Sequence, residues 1–486
     1  MRFRGKRVHF VGIGGAGLSA IARVLMGQGA EVSGSDLELS PVADALARDG
    51  ARIFVGHSEE NVAGAELVVV SSAVPPSNVE VQAARAGGIP VLKRPEFLGQ
   101  LMAGYMGVAV AGTHGKTSTT AMIASILLQS GRDPTFIVGG VIAGLATNAR
   151  AGEGPLFAIE ADEYDHTFLS LTPQVAVVTN VEHDHPDCYP TFADCRDTFA
   201  QFVSLVPDDG LLVACWDDPV ARELGEQRRA AGGAVSFFGL SKGAEWRAEG
   251  IRPNFAGGID FLAAYDGQVL GLVRLRLPGD HNASNAMAAL AVAAFLDVPF
   301  GRARRALSEF RGVGRRFEVK GKADGVLVVD DYAHHPTEIR ATLLAARQRF
   351  PDWPLWVVWQ PHTYSRTKTL LADFAQAFSV ADHVIVLPIY PARETDTLGI
   401  SSADVVAAMR HRDVRHGHSL DEALVWLGTE VRPGDVVLTL GAGDGYKVGE
   451  WLLDVLDNGR LTLEQTRQGV ENERHNGRGS TGQQEG

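Results

Sequence analysis

Gly107-Val-Ala-Val-Ala-Gly-Thr-His-Gly-Lys-Thr-Ser-Thr-Thr120 is the stretch from which the fold is read. Val108 to Ala111, small or β-branched and apolar, form a short buried strand; Gly112-Thr113-His114-Gly115-Lys116-Thr117 turns sharply, and Ser118 to Ser130 has helical spacing. Strand, glycine-bearing turn and helix in that order make a phosphate cradle. The glycines let backbone N–H groups face an anion, the helix presents its positive end, Lys116 neutralises phosphate charge, and the Thr117 hydroxyl suits Mg²⁺. Only Thr113 and His114 separate Gly112 from the Gly115-Lys116 pair, so the loop is shorter than the usual P-loop.

Upstream, Arg7-Val-His-Phe-Val11 reads as a strand, followed at once by Gly12-Ile-Gly-Gly-Ala-Gly17 and the helical run Leu18 to Met26. A second strand, Glu31 to Gly34, ends at Ser35-Asp36, with the acidic residue 19 positions after Gly17. Gly12, Gly14, Gly15, Ala16 and Gly17 with Asp36 match the dinucleotide-binding fingerprint, in which glycines admit a pyrophosphate and the carboxylate holds a ribose hydroxyl. The match calls for a nucleotide diphosphate, and NAD and a UDP-sugar both offer one. Strands at Leu67 to Ser71 and Pro90 to Lys93 complete a small α/β unit that closes between Gln100 and Met106.

Downstream, the strand Leu156 to Glu160 releases Glu160-Ala-Asp-Glu-Tyr-Asp165, and the strand Val175 to Asn180 releases Glu182-His-Asp-His185. Acidic groups at strand ends occupy the ligand edge of an α/β sheet, on the side expected for the phosphate loop, and oxygen-rich ligands with one histidine suit Mg²⁺. Zinc at His183 and His185 is the competing reading. Gly210 to Leu277 alternates short strands and turns, as an antiparallel flank would. Pro278-Gly-Asp-His-Asn282 then opens an Ala-rich helix containing Asn285, with Asp280 or Asn282 as its cap. Arg315 and Arg316, beside Gly312 and Gly314, form a candidate phosphate clamp.

A third unit starts with the strand Gly325 to Asp330 and continues through Leu355 to Trp359, Val384 to Leu387 and Asp435 to Leu440. The strand ends carry Asp331-Tyr-Ala-His-His-Pro-Thr-Glu338, Gln360-Pro-His-Thr-Tyr-Ser-Arg366, Tyr390 to Glu394 and Gly441 to Asp444, again the doubly wound arrangement. From about Asp457 the chain turns Gln-, Glu-, Asn- and Gly-rich and reads as a disordered tail.

With 486 residues, 45% hydrophobic and 21% charged, the chain has the length of roughly three domains. A net charge of −13 argues against nucleic acid or an anionic membrane as partner. Cys188, Cys195 and Cys215 show neither metal spacing nor a disulfide framework, which suits the cytoplasm. The basic start Met1 to Arg7 lacks the apolar core of a signal peptide, and no apolar run is long enough to span a bilayer.

Phe10 to Gly17, Gly112 to Thr117, Glu160 to Glu163, Asp331 to Pro336 and Gln360 to Thr367 together resemble the Mur ligase family, in its order and spacing from Lys6 to about Leu456, and within it the alanine-adding branch. The resemblance implies three α/β domains: a Rossmann-like UDP-sugar domain over residues 1–106, a central P-loop-type ATPase sheet over 107–316, and a Rossmann-like amino-acid domain over 317–456, with 457–486 the tail. It implies an ATP- and Mg²⁺-dependent ligase that joins L-alanine to UDP-N-acetylmuramate through an acyl phosphate, in a monomer or homodimer. The Gly12–Gly17 loop would hold uridine diphosphate, with Leu18, Ser19, Asp36 and Ser71 nearby. Lys116 would bind the β and γ phosphates, with Ser118 in the same loop-to-helix turn; Thr117 and Glu163 would hold one Mg²⁺ and His185 the second. His281, Asn282 and Asn285 would approach adenosine, Asp331 the ATP ribose and Arg316 the γ phosphate, while His334, His362 and Arg366 would face the amino acid. Some members carry a carbamylated lysine near the metals, for which Asp187 to Ala200 offers no lysine. Tyr164 stands where many alanine ligases have serine, and tyrosine there is also seen in the peptide-salvaging relative, the nearer alternative within the family, over which Gln360 to Arg366 favours the alanine-adding branch. A dehydrogenase would leave the Lys116 loop and both acidic clusters idle, and an ATP-gated binding module would release no phosphate.

Overall fold

The computed structural model describes residues 3–457; the tail expected from Asp457 onward lies almost wholly outside them. Three sheets account for the strands. The first contains β1 (Arg7–Val11), β2 (Glu31–Asp36), β3 (Arg52–Val55), β4 (Leu67–Val70) and β5 (Val91–Lys93), in the spatial order β3-β2-β1-β4-β5. Every neighbouring pair is parallel, so the turns after β1, β2, β4 and β5 leave from one edge.

The second sheet contains β6 (Met106–Ala111), β7 (Thr135–Ile142), β8 (Thr147–Arg150), β9 (Leu156–Glu160), β10 (Pro173–Val178), β11 (Leu211–Cys215), β12 (Ala234–Gly239), β13 (Trp246–Pro253), β14 (Ile259–Tyr265) and β15 (Gln268–Leu275). Its order is β15-β14-β13-β12-β11-β10-β6-β9-β7-β8. β10, β6 and β9 are adjacent and parallel, so the phosphate loop and both acidic clusters leave from the same edge, as expected.

The expected antiparallel flank needs correction. β11 and β12 pair parallel, joined by the helix Pro219–Ala230 with Asp218 as its cap, and antiparallel pairing begins only between β13 and β14. All five residues of β11 are buried, the signature of a strand covered on both faces, whereas β15 is largely exposed. The strands β3, β7 and β8, and in the third sheet Glu318–Ala323 and Val414–His416, were not anticipated either; β3 and Val414–His416 are short and only partly buried, so they carry little apolar signal.

Helix Lys116–Gln129 is buried continuously from Thr117 to Leu127, between the sheet and the Ala-rich helix Asp280–Phe295. Alanines at 286, 288, 289 and 291 are all buried, and side chains this small let neighbouring elements approach closely. That second helix is capped by neither Asp280 nor Asn282: Gly279, at φ 94°, occupies the cap position, a conformation that a side chain there would strain. Most buried apolar residues of the first two sheets form one continuous core, with a smaller separate cluster of Val11, Val62, Val68, Val70, Val81 and Ala84 in the first, and residues up to Gly314 make one compact unit, with those from Arg315 on making another.

In that second unit the sheet runs β16-β17-β21-β18-β19-β20, from β16 (Glu318–Ala323), β17 (Val326–Asp331), β18 (Leu355–Trp359), β19 (His383–Val386), β20 (Val414–His416) and β21 (Val436–Leu440). Only β16 is antiparallel.

Candidate active site

The turn after β6 is built on two glycines with positive φ, Gly112 at 138° and Gly115 at 82°. A Cβ on Gly112 would lie 1.9 Å from the Thr179 hydroxyl, and one on Gly115 would lie 2.8 Å from the Asn285 amide oxygen. Glycine is therefore demanded twice over, by backbone conformation and by close neighbours. Thr179 and Asn180, at the end of β10, clamp the loop: the Asn180 side chain accepts from the His114 N–H at 2.8 Å, its carbonyl accepts from the Thr113 N–H at 3.0 Å, and the Thr179 hydroxyl donates to the His114 carbonyl at 2.6 Å. Neither residue was assigned a role from sequence, although Asn180 ends the buried run that marked the strand.

The Lys116 ammonium donates to the carbonyls of Gly112 and Thr113 at 2.5 and 3.1 Å and to Glu163 Oε1 at 2.8 Å. Burial pushes its pKa down, but the carboxylates of Glu163, Glu160 and Asp162 outweigh burial and hold it above the ordinary lysine value, so the cation persists at neutral pH. The Thr117 hydroxyl donates to Glu160 Oε1 at 3.1 Å, and Glu160 Oε2 accepts from the Gly139 N–H at 2.6 Å. With its proton on Glu160, the Thr117 oxygen keeps its lone pairs for a cation.

The carboxylates from Glu160 to Asp165 have different partners. Glu160 holds Thr117 and Gly139; Asp162 accepts from the Tyr164 N–H at 3.2 Å and pairs with Arg94 at 3.4 Å; Asp165 accepts from the Ser72 hydroxyl at 2.7 Å. Glu163 is only 3% exposed, and its Oε2 is buried with no hydrogen-bond partner. A buried carboxylate oxygen without a partner is costly, and a hard cation satisfies it. His185 Nε2 stands 3.7 Å from Glu163 Oε1 and 3.6 Å from Asp184 Oδ2, on a residue held at φ 54°. The donor set of Thr117, Glu163 and His185 thus fits Mg²⁺. His183 instead faces the Tyr189 carbonyl at 2.9 Å, so the His-x-His pair does not converge as a zinc site would. The Tyr189 hydroxyl in turn donates to the Glu163 carbonyl at 2.5 Å.

His114 lies 3.4 Å from Glu182, and Ser118 is buried in the first turn of its helix. The Asn282 amide donates to the Pro278 carbonyl at 2.8 Å and meets His281 at 3.1 Å, while Asn285 lies against Gly115.

In the first sheet the Gly14 N–H donates to Asp36 Oδ2 at 2.8 Å, which ties the glycine loop to the end of β2. Ser71 packs against Gly12, where a Cβ would come within 3.1 Å of it. Gly15 caps helix Ala16–Gly27 in extended conformation with no side-chain cap, leaving Ala16, Gly17, Leu18 and Ser19 in the first turn. Below the loop lies a network the sequence did not suggest. Glu80, fully buried, accepts from Ser35 at 2.5 Å and Asn61 at 2.6 Å and lies 3.2 Å from His57 and 3.6 Å from His9.

In the unit from Arg315 on, the ends of β17, β21, β18 and β19 lie side by side. Asp331 accepts backbone N–H groups from Phe317 and Ala333, both at 2.8 Å, and burial pushes its pKa up to about 6 against the pull of Arg316. Arg315 pairs with Asp330 at 3.0 Å and Arg316 with Glu338 at 3.5 Å. His334 and His362 come together with ring centroids 6.0 Å apart, and His362 stacks on Tyr390 at 5.8 Å. Arg366 is 5% exposed, and it donates to the His362 carbonyl at 2.8 Å. Gln360 bridges to Asp444 and the Gly445 N–H at 3.0 and 2.8 Å, bracing β18 against the turn after β21.

Three family models cover this architecture: the Mur ligase catalytic domain at residues 7–106, the Mur ligase middle domain at 110–293 and the Mur ligase glutamate ligase domain at 315–443. The chain belongs to the Mur ligase family. A UDP-N-acetylmuramate–L-alanine ligase of Geobacter sp. (strain M21) is 47% identical over 92% of this chain and 97% of its own length. Its counterpart in Renibacterium salmoninarum is 46% identical over 93% and 96%. Among solved structures, the UDP-N-acetylmuramate–alanine ligase of Thermotoga maritima superposes with a TM-score of 0.77 at 29% identity, covering 92% of this chain and 98% of that one. A murein peptide ligase from Psychrobacter arcticus reaches 0.69 at 26% identity, over 94% and 100%. The Mur ligase match absorbs the glycine fingerprint, the phosphate loop and the third sheet at once, so neither the dehydrogenase nor the binding module is favoured. No helix among the described residues is long and apolar enough to cross a membrane.

Proposed function

We propose that this Mur ligase joins L-alanine to the lactyl carboxylate of UDP-N-acetylmuramate, converting ATP to ADP and phosphate. The observation that carries the reading is the convergence of Lys116, Thr117, Glu163 and His185 on one sheet edge, in a chain whose relatives over nearly full length are alanine ligases. The lactyl carboxylate attacks the γ phosphorus of ATP and expels ADP. The amine of L-alanine attacks the resulting acyl phosphate, loses a proton, and the tetrahedral intermediate collapses to amide and phosphate.

Phosphoryl transfer of this kind depends on positioning and charge neutralisation. Lys116, kept protonated by its carboxylate neighbours, meets the β and γ phosphates, and the N-terminal N–H groups of its helix add their dipole. Thr117, Glu163 and His185 are the residues to hold Mg²⁺, which when bound supplies positive charge that offsets the repulsion between carboxylate and polyphosphate. We assign His281, Asn282 and Asn285 to adenosine, Asp331 to the ATP ribose and Arg316 to the γ phosphate. The buried Arg366 takes the alanine carboxylate, and His334 and His362 stand beside it as donors or proton acceptors. The Gly12–Gly17 loop with Asp36 and Ser71 takes the uridine diphosphate. Three free thiols and a supply of ATP fit a cytoplasmic setting.

Purified protein is expected to release phosphate only when UDP-N-acetylmuramate and L-alanine are both present. With UDP-N-acetylmuramate alone it should scramble isotope within the phosphates of ATP. Phosphate release that needs neither, or a turnover preference for a muropeptide-derived peptide over L-alanine, would overturn the reading.

A further inference from the structure

Arg94 opens the helix Arg94–Met102 directly after β5, on the edge of the first sheet from which the Gly12–Gly17 loop and Ser71 also leave. Its guanidinium lies over Gly17: a Cβ at that glycine would stand 2.8 Å from Arg94 Nε and 2.9 Å from Cζ. In the usual fingerprint the third glycine serves close packing of helix on strand. Here the space left by the missing side chain is filled by an arginine from a different helix.

The placement is electrostatically unusual. Helix Ala16–Gly27 has no side-chain cap and no acidic residue in its first turn; the neighbouring carboxylate of Asp36 takes the Gly14 N–H ahead of the cap and leaves the N–H groups of the first turn as a positive end. Arg94 adds a second positive group to it. The Arg94 Nε is buried without a hydrogen-bond partner, and Nη1 reaches Asp162 Oδ2 only at 3.4 Å, well beyond the roughly 2.7–2.9 Å of a tight charge-assisted bond. The Arg94 side chain nevertheless keeps 26% of its surface exposed beside that helix N-terminus, so its outer N–H groups can receive an anion there. Asp162 sits one residue from Glu163, and the Ser72–Asp165 bond, at 2.7 Å, ties the turn after β4 to the same acidic stretch.

We propose that Arg94 binds the diphosphate of the nucleotide sugar and that its pairing with Asp162 ties the occupied nucleotide-sugar site to the loop carrying Glu163. The proposal rests on the assignment of a uridine diphosphate to the Gly12–Gly17 loop. Gly17 is then required for the room it leaves to the arginine, and Asp162 for orientation of the guanidinium rather than for a metal.

The test is calorimetric titration of the full chain with UDP and with uridine, for the wild type and for Arg94→Met, Arg94→Lys and Gly17→Ala, with thermal unfolding as a check on folding. UDP is expected to bind wild type more tightly than uridine. Arg94→Met should weaken UDP by about 10- to 100-fold while changing uridine by less than about 2-fold, since one charge-assisted contact to phosphate is lost and none to the nucleoside. Arg94→Lys, which keeps the charge and loses the planar fork, should fall between, and Gly17→Ala, which displaces the guanidinium, should show the same loss selective for UDP. Where Arg94→Met fails to fold, Arg94→Lys carries the test. Equal weakening of UDP and uridine, or no change in either, overturns the role of Arg94. A wild type that binds neither UDP nor UDP-N-acetylmuramate overturns the assignment of the loop itself.

Discussion

Lys116→Met tests whether the cation and Glu163 form one buried electrostatic unit. Their side chains are 14% and 4% exposed, and 2.8 Å separates Nζ from Oε1. Removing the ammonium leaves Glu163 with a choice between remaining ionised without a partner and taking a proton. Breaking a buried pair from one side costs about 3–5 kcal/mol. Protonation sets a ceiling: raising a carboxyl of ordinary pKa 4.5 to neutral form at pH 7, at about 1.36 kcal/mol per unit, costs about 3.4 kcal/mol. At pH 5 the same step costs only about 0.7 kcal/mol. Burial already holds the Glu163 carboxyl above its ordinary range with Lys116 in place, and removing the ammonium, whose charge pulls it down, raises it further above its unfolded value. The variant's relative stability is therefore greatest below pH 4.5 and falls as the pH rises.

Urea unfolding of the wild type, Lys116→Met and Lys116→Met/Glu163→Gln at pH 5 and pH 7 measures this, with hydrogen exchange across residues 107–130 locating the loss. The single variant should lose about 3 kcal/mol at pH 7 and under about 1 kcal/mol at pH 5, and the double variant should recover most of the difference at pH 7. Ligase turnover should fall at least about 10³-fold in both, because the phosphate-binding cation is gone, while UDP binding persists. A cost below about 1 kcal/mol at pH 7, an equal cost at both pH values, or no rescue by the second substitution refutes the reasoning.

Three further outcomes are expected. Gly112→Ala should abolish ATP binding without affecting UDP binding, since its Cβ would lie 1.9 Å from Thr179 and the backbone is held at φ 138°; unchanged affinity for ATP would show that the loop tolerates a side chain. Glu80→Gln concerns a carboxylate that burial pushes up but the nearby His9 and hydrogen bonds from Ser35 and Asn61 pull down to about 2. Its contribution is present above pH 4.5 and is lost as the pH falls toward 2, so the variant should lose about 2–3 kcal/mol at pH 7 and less at pH 3.5 by denaturant unfolding; a constant difference would contradict this. Arg366→Lys should raise the Michaelis constant for L-alanine by roughly tenfold or more, with those for ATP and UDP-N-acetylmuramate little changed and isotope scrambling in ATP retained; intact alanine affinity or lost scrambling would remove Arg366 from that role.

Local chemistry was legible in the sequence wherever one segment carries the whole signal. The run from Gly107 to Ser130 announces strand, turn and helix because apolar runs, paired glycines and helical spacing are properties of neighbouring residues, and the structure differs only at the ends, with the strand at Met106–Ala111 and the helix at Lys116–Gln129. The same holds for the strand, glycine loop and Asp36 of the first sheet, and for the order of β and α in the third. The tertiary structure decided what depends on residues far apart in the chain. Glu160, Asp162, Glu163 and Asp165 are equivalent by sequence, four carboxylates in one short stretch. Folding brings Thr117 to the first, Arg94 to the second and Ser72 to the last, and leaves an oxygen of Glu163 buried without a partner. Whether β11 pairs parallel or antiparallel, and whether Arg366 is buried or on the surface, likewise turns on what packs against them. A side chain's type is encoded at its own position, but its charge, burial and partners are set by elements that only the folded sheet makes adjacent.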